Sequence, residues 1–167
     1  MKKYIITDIG DDSNIDEFER FGLGIKTMDT NVKLNVGCVD SYKYVAGENA
    51  RKNGDIIEGD LNIEEAHFVG KTDLELMHKW TGVERFKVCP EMEMVVEVTR
   101  ILDDYHICGL TDITEEELLI EFSIFSDKIN TDKKYFKEGD KILLSKAKLC
   151  LDIWGDIEEV KKAYGIS

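Results

Sequence analysis

The chain has 167 residues, of which 43% are hydrophobic and 34% charged, and it carries a net charge of −13 at neutral pH. That balance is too apolar for general disorder and too polar for a membrane protein, and the length suffices for one domain-sized core. Apolar runs such as Met94-Val95-Val96 fall far short of a bilayer span, and Asp8 and Asp11 interrupt the stretch where a signal peptide needs its apolar centre, so a cytoplasmic location is expected.

Lys3 to Ile9 reads as a first strand, followed by an acidic turn region, Gly10 to Glu19, in which a short helix is expected to start. Gly22 to Met28 and Val32 to Val39 form a hairpin around Asp29-Thr30-Asn31, because Val32, Leu34, Val36 and Cys38 alternate with polar or small residues. Tyr42 to Val45 continues as strand before a polar loop from Gly47 to Gly54. Asp55 to Leu61 and Glu65 to Val69 are two weaker strands. Thr72-Asp73-Leu74-Glu75 has the form of a capping box and predicts a helix over 73–81, with Leu74, Met77 and Trp80 inward. From Met92 the two-residue period returns, with Met92, Met94, Val96 and Val98 on one face. Asp103-Asp104 turns the chain into Tyr105 to Leu110. Thr114 to Phe125 is read as strand from the alternation of Leu118, Ile120, Phe122 and Ile124. A Gly139-Asp140 turn leads into a long bent strand from Lys141 to Ile153, and Asp156 caps a C-terminal helix ending at Gly165.

The fold expected from these elements is a β-rich α+β protein. Its second half would be a small, OB-like or half-closed antiparallel barrel, packed against an irregular β-rich first half with two or three short helices. Residues 1–167 form a single compact unit, with sub-modules 1–70 and 91–155 joined by the short helix near 73–81. An internal echo pairs Val39-Asp40-Ser41-Tyr42 with Leu102-Asp103-Asp104-Tyr105, and Gly54-Asp55-Ile56-Ile57 with Gly139-Asp140-Lys141-Ile142. A duplication would give two related β modules packed together.

Motifs for catalysis are scarce. No P-loop, nucleophile elbow or HExxH helix occurs, and Gly22-Leu23-Gly24 lacks the third glycine of a dinucleotide loop. Asp8, Asp11, Asp12, Asn14 and Asp16 miss the EF-hand pattern, since Glu17 and Leu23 stand where glycine and the bidentate glutamate belong. Glu64 and His67, like Glu75 and His78, are three apart, a spacing that clusters ligands only on helices. Cys38, Cys89, Cys108 and Cys150 form no CxxC pair and read as reduced, apolar-packed thiols. His106 and Cys108, two apart on a strand, would share a face and could both ligate a metal with partners from elsewhere, but the favoured reading is a packed histidine beside a buried thiol. No cofactor and no bound metal are expected.

Charge distribution points to a partner. Residues 61–126 carry 5 basic and 15 acidic groups, against 8 and 12 in residues 1–60 and 9 and 8 in residues 127–167. Such a field repels phosphate backbones and attracts cationic protein surfaces. The function expected is therefore a non-catalytic, inhibitor-type or immunity-type protein docking on the basic surface of a partner such as a nucleic-acid-handling enzyme. Glu91, Glu93, Glu97, Asp103, Asp104, Glu115, Glu116 and Glu117 are the candidate contacts. Two alternatives stand beside it. One is a small β-barrel enzyme or ligand-binding protein with a cleft near His106 and Cys108. The other is a single-strand nucleic-acid module using Lys133, Lys134, Lys137, Lys141, Lys146 and Lys148 with Tyr135 and Phe136, which the overall charge disfavours.

Overall fold

A computed structural model describes residues 2–9, 20–39, 52–81, 90–124 and 136–153. These hold nine strands: β1 (Lys2–Ile9), β2 (Arg20–Thr27), β3 (Lys33–Val39), β4 (Ile56–Lys71), β5 (Met77–Trp80), β6 (Glu91–Ile101), β7 (His106–Leu110), β8 (Leu118–Phe122) and β9 (Lys141–Ile153). No helix occurs among the described residues, so the α+β expectation is corrected to an all-strand architecture in one mixed sheet. The expected helices at 10–19 and 156–165, and the strand at 42–45, lie outside the described residues.

The helix expected over 73–81 is replaced by β5. Thr72 Oγ does accept the Leu74 amide at 3.1 Å, as a capping residue would, but the turn it closes is not continued. Met77 to Trp80 pair instead with Val95 to Met92 along β6, because an unpaired strand edge there supplies backbone partners that outweigh a short helix's propensity. The two weak strands at 55–61 and 65–69 merge into one 16-residue β4.

The sheet closes on itself twice. β1, β2 and β3 form an antiparallel meander, β3 runs parallel to β9, β9 pairs with β4, and β4 returns to β1. β6, β7 and β8 form a second meander, β8 runs parallel to β4, β4 pairs with β9, and β9 returns to β6. Each five-stranded ring thus consists of one meander, its own fourth strand, and the fourth strand of the other half. The barrel expected in the second half alone is corrected accordingly: it is completed by β4 from the first half.

Hydrogen bonds repeat this pairing in detail. Lys52-Asn53-Gly54-Asp55 and Lys137-Glu138-Gly139-Asp140 make the same turn, entering β4 and β9. In each, glycine adopts φ 90° at the third position, where L side chains are disfavoured. Its N–H donates at 2.7 Å to the carbonyl of Ile6 or Val98, and the following aspartate carbonyl accepts from the N–H of that same residue at 2.9 Å. The aspartate carboxylates accept the Lys52 and Lys137 amides at 2.9 Å. The Gly54/Gly139 echo therefore falls on equivalent turns. The Val39/Leu102 echo does not, since Val39 ends β3 whereas Leu102 follows β6, the counterpart of β1.

One apolar core runs through both rings. It takes Tyr4, Ile6, Leu23, Ile25, Leu34 and Val36 from the first meander, Met94, Val98, Ile107 and Ile120 from the second, and Ile63, Ala66, Leu144, Ala147 and Leu149 from the shared pair. Phe136 is buried against Phe68 and Phe122, with ring centroids 5.2 and 5.9 Å away. It is a core residue and not a stacking platform.

Candidate functional site

The eight carboxylates expected to meet a partner fall in three places. Glu91, Glu93 and Glu97 lie half-buried on the outer face of β6, because the inward positions are taken by Met92, Met94, Val96 and Val98. Register places Lys148 opposite Glu91, Lys79 opposite Glu93 and Lys141 opposite Glu97, so each faces a cation across the ladder. Asp103 and Asp104 are exposed in the β6–β7 turn. The Tyr105 N–H at 2.8 Å, and then the imidazole of His106, hold the Asp103 carboxyl below its ordinary range. Glu115, Glu116 and Glu117 are exposed between β7 and β8. Glu117 accepts from Thr99 Oγ at 2.7 Å and pairs with Arg100 at 2.5 Å, and these two partners lower its pKa.

Glu116 and Glu117 belong to a groove of about 350 Å³ that also gathers Asp60, Asn62, Asp152 and Lys2. Asp60 and Asp152 stand opposite each other in the β4–β9 ladder, and Asn62 donates to Asp152 at 3.3 Å. The groove has four carboxylates and one lysine, and that lysine is engaged: Lys2 Nζ donates to Asp29 at 2.5 Å and to Thr114 Oγ at 2.6 Å. Burial alone would raise the Asp29 carboxyl. Donation by Lys2, the Glu115 N–H, Thr114 and the Thr30 N–H outweighs it and holds Asp29 far below the carboxylate range. The buried Tyr4 hydroxyl is pushed up to about 12, first by desolvation and then by the charges of Asp29, Glu116 and Asp60. The end of the groove is thus negative. Asp60 and Asp152 fall outside the acidic middle segment and were not among the expected contacts, although alternation along β4 and β9 puts both outward.

A larger open cleft, of about 570 Å³, lies further along the shared β4–β9 pair. Its floor is Glu65 and His67 from β4 with Lys146 and Lys148 from β9, and its walls include Glu91, Tyr105, His106, Glu121 and Ile124. Glu65 (φ 54°) and Lys146 (φ 52°) adopt left-handed backbone. The conformation costs about 1–2 kcal/mol for an L residue. Between the aligned pairs Glu64/Lys148 and His67/Ser145 each strand takes a bulge-like kink, which turns Ala66 and Ala147 into the core and the longer side chains outward. Lys148 pairs with Glu65 at 2.5 Å. His106 bonds Asp103 through Nδ1 at 2.8 Å and Glu121 through Nε2 at 3.3 Å, and the Asp103 hydrogen bond is the largest influence raising its pKa.

Cys108 shares His106's outer face but does not line the cleft. It is buried, with Arg100 3.4 Å from its sulfur. Cys38, Cys108 and Cys150 are joined in no disulfide among the described residues, while Cys89 lies outside them. His67 and His78 stand on strands, so the three-residue spacing to Glu64 and Glu75 does not put these pairs on a helix face; His78 instead bonds Asp112 at 2.7 Å. No group of three metal-ligating side chains occurs among the described residues, and no helix among them is long and apolar enough to cross a membrane. The acidic loop at 10–19 and Lys133, Lys134 and Tyr135 lie outside the described residues.

The chain matches no protein-family model, no curated protein and no solved structure.

Proposed function

We propose that the protein is a non-catalytic binding protein that docks a basic surface of a protein partner onto the acidic groove between β1, β4 and the β7–β8 connection. The observation that carries this reading is the charge imbalance of the groove: Asp60, Glu116, Glu117 and Asp152 line it with Lys2, which is held by Asp29 and lies 3.9 Å from Glu116, and only Arg100, on Glu117, adds a second cation to the pairs found there among the described residues. An arginine or lysine presented by a partner meets several carboxylates at once there, whereas on β6 each glutamate already faces a lysine. Exposed charges act mainly by steering encounter and excluding wrong partners, and their effect fades as salt shortens the Debye length. An enzyme that handles nucleic acid presents such a basic surface, and an acidic protein on it would occupy phosphate positions.

The triple variant Asp60→Asn, Glu116→Gln, Asp152→Asn removes three of the groove's four carboxylate charges with little change in shape and leaves Glu117 in its pair with Arg100. Basic proteins captured from the source lysate on the immobilised native protein are identified, purified and titrated singly against native and variant. A loss of affinity of about tenfold or more, with a native interaction that weakens steeply between about 50 and 500 mM salt, is expected. Glu91→Gln with Glu93→Gln should change affinity less. Equal binding by the triple variant and the native protein, or binding indifferent to salt, removes the groove from the interaction.

A further inference from the structure

We infer that the cleft over the kinked β4–β9 pair is a binding site for a small zwitterion of the amino-acid or short-peptide class. This is a second site, separate from the acidic groove and independent of the docking proposal.

Backbone conformation gives the first reason. Among the described residues only three non-glycine positions have positive φ, and Asn31 sits in a hairpin turn where that is ordinary. The other two, Glu65 and Lys146, belong to the two strands of one ladder and both line this cleft. Bulges that re-aim side chains occur at barrel rims and beside binding sites, and strained non-glycine backbone clusters at ligand sites.

The lining gives the ligand's class. On the central strand pair, Lys146 of β9 and His67 of β4 have no ionic or hydrogen-bonding partner among the described residues and offer N–H donors suited to a carboxylate. Glu91 on β6 and Glu121 on β8 flank that pair on opposite sides and offer acceptors suited to an ammonium group; Lys148 stands opposite Glu91 but pairs with Glu65, and Glu121 is 3.3 Å from His106 Nε2, whose other nitrogen is held by Asp103. Beside Glu121, Tyr105, 39% exposed, and Ile124, 73% exposed, provide apolar surface. A ligand with separated charges and an apolar side group satisfies all three regions. A simple anion would leave the glutamates facing it, and a simple cation would meet Lys146. The volume exceeds one amino acid and accommodates a di- or tripeptide.

The test is calorimetric titration of the native protein with free leucine, phenylalanine and tyrosine and with trileucine and trityrosine, followed by the best binder's N-acetylated and C-amidated forms. Binding with Kd at or below about 1 mM is expected for at least one uncapped compound, with each cap weakening it at least about tenfold. Lys146→Asn keeps a residue tolerant of left-handed backbone, and Glu91→Gln keeps shape; each should weaken binding at least about tenfold while the thermal midpoint stays within a few degrees. Should Lys146→Asn fail to fold, Lys146→Gly replaces it. The inference is overturned if none of the uncapped compounds binds with Kd at or below about 1 mM, if capped and uncapped forms bind equally, or if the folded variants bind as the native protein does. The groove variant Asp60→Asn, Glu116→Gln, Asp152→Asn should bind these ligands normally, so failure of one site is distinguishable from failure of the other.

Discussion

Asp29 sits at the tip of the β2–β3 hairpin, yet most of its partners come from elsewhere: Lys2 from β1, and Thr114 and the Glu115 amide from the β7–β8 connection. The neighbouring Thr30 hydroxyl also donates to the Ile113 carbonyl, so the hairpin tip is fastened to the other ring. Asp29 was legible only as a turn residue, since partners 85 positions away leave no local pattern. With its side chain 21% exposed and Lys2 19% exposed, the ion pair is largely withdrawn from water. Asp29→Asn should cost about 2 kcal/mol at neutral pH, the usual scale for a charge-assisted hydrogen-bond set losing its charge. Because the folded pKa lies below the unfolded value of about 3.9, this stability is present above about pH 4 and is lost as pH falls toward the folded pKa. Urea midpoints of native protein and variant should therefore converge on acidification from pH 7 to about pH 2.5. A gap that stays constant would mean that the carboxylate charge is not what fastens the tip.

Among the elements, those read from a two-residue period were readable: the β2–β3 hairpin, β6 and β8 overlap the stretches where alternation puts them, and β9 spans the long bent run from Lys141 to Ile153. β5 was not. Its capping box is real as local chemistry, but the free edge of β6 decides the outcome, and an edge formed by residues 92–95 leaves no mark on residues 77–80. The acidic groove was half legible for a similar reason: Glu116 and Glu117 lie in the charged middle segment, while Asp60 and Asp152 meet only through the β4–β9 register. Likewise the cleft's His106 could be singled out from sequence, but the left-handed backbone at Glu65 and Lys146 could not, because neither residue type announces it. The two lysine-x-glycine-aspartate turns give a direct test at this scale. A Cβ on Gly54 or Gly139 would meet no atom within 4 Å, so the penalty of Gly54→Ala or Gly139→Ala is conformational alone, about 1–2 kcal/mol each from the φ of 90°. The two penalties should agree within about 0.5 kcal/mol in denaturant unfolding and add in the double variant, since the turns share no partners. Unequal penalties would show that the repeated hydrogen bonds do not make the turns energetically equivalent.

At the scale of the whole molecule, neither half can close its own ring. The first half supplies β1 to β4 and needs β9 between β3 and β4; the second supplies β6 to β9 and needs β4 between β8 and β9. Separated, each would be an open sheet with unpaired edge groups and one side of its core facing water. The connection leaving β4 is accessible, with Asp73, Leu74 and Glu75 exposed. A protease site inserted between Leu74 and Glu75 should therefore be cut without separating the pieces, because the β4–β9 ladder and the shared core remain. After denaturation and separation, neither fragment should show a cooperative unfolding transition, and mixing them should restore the native spectrum at one-to-one stoichiometry with a rate that rises with concentration. Cooperative unfolding of either fragment alone would mean that its meander and fourth strand close without help. Spontaneous separation of the nicked protein in plain buffer would mean that the exchanged strands contribute far less than their register implies.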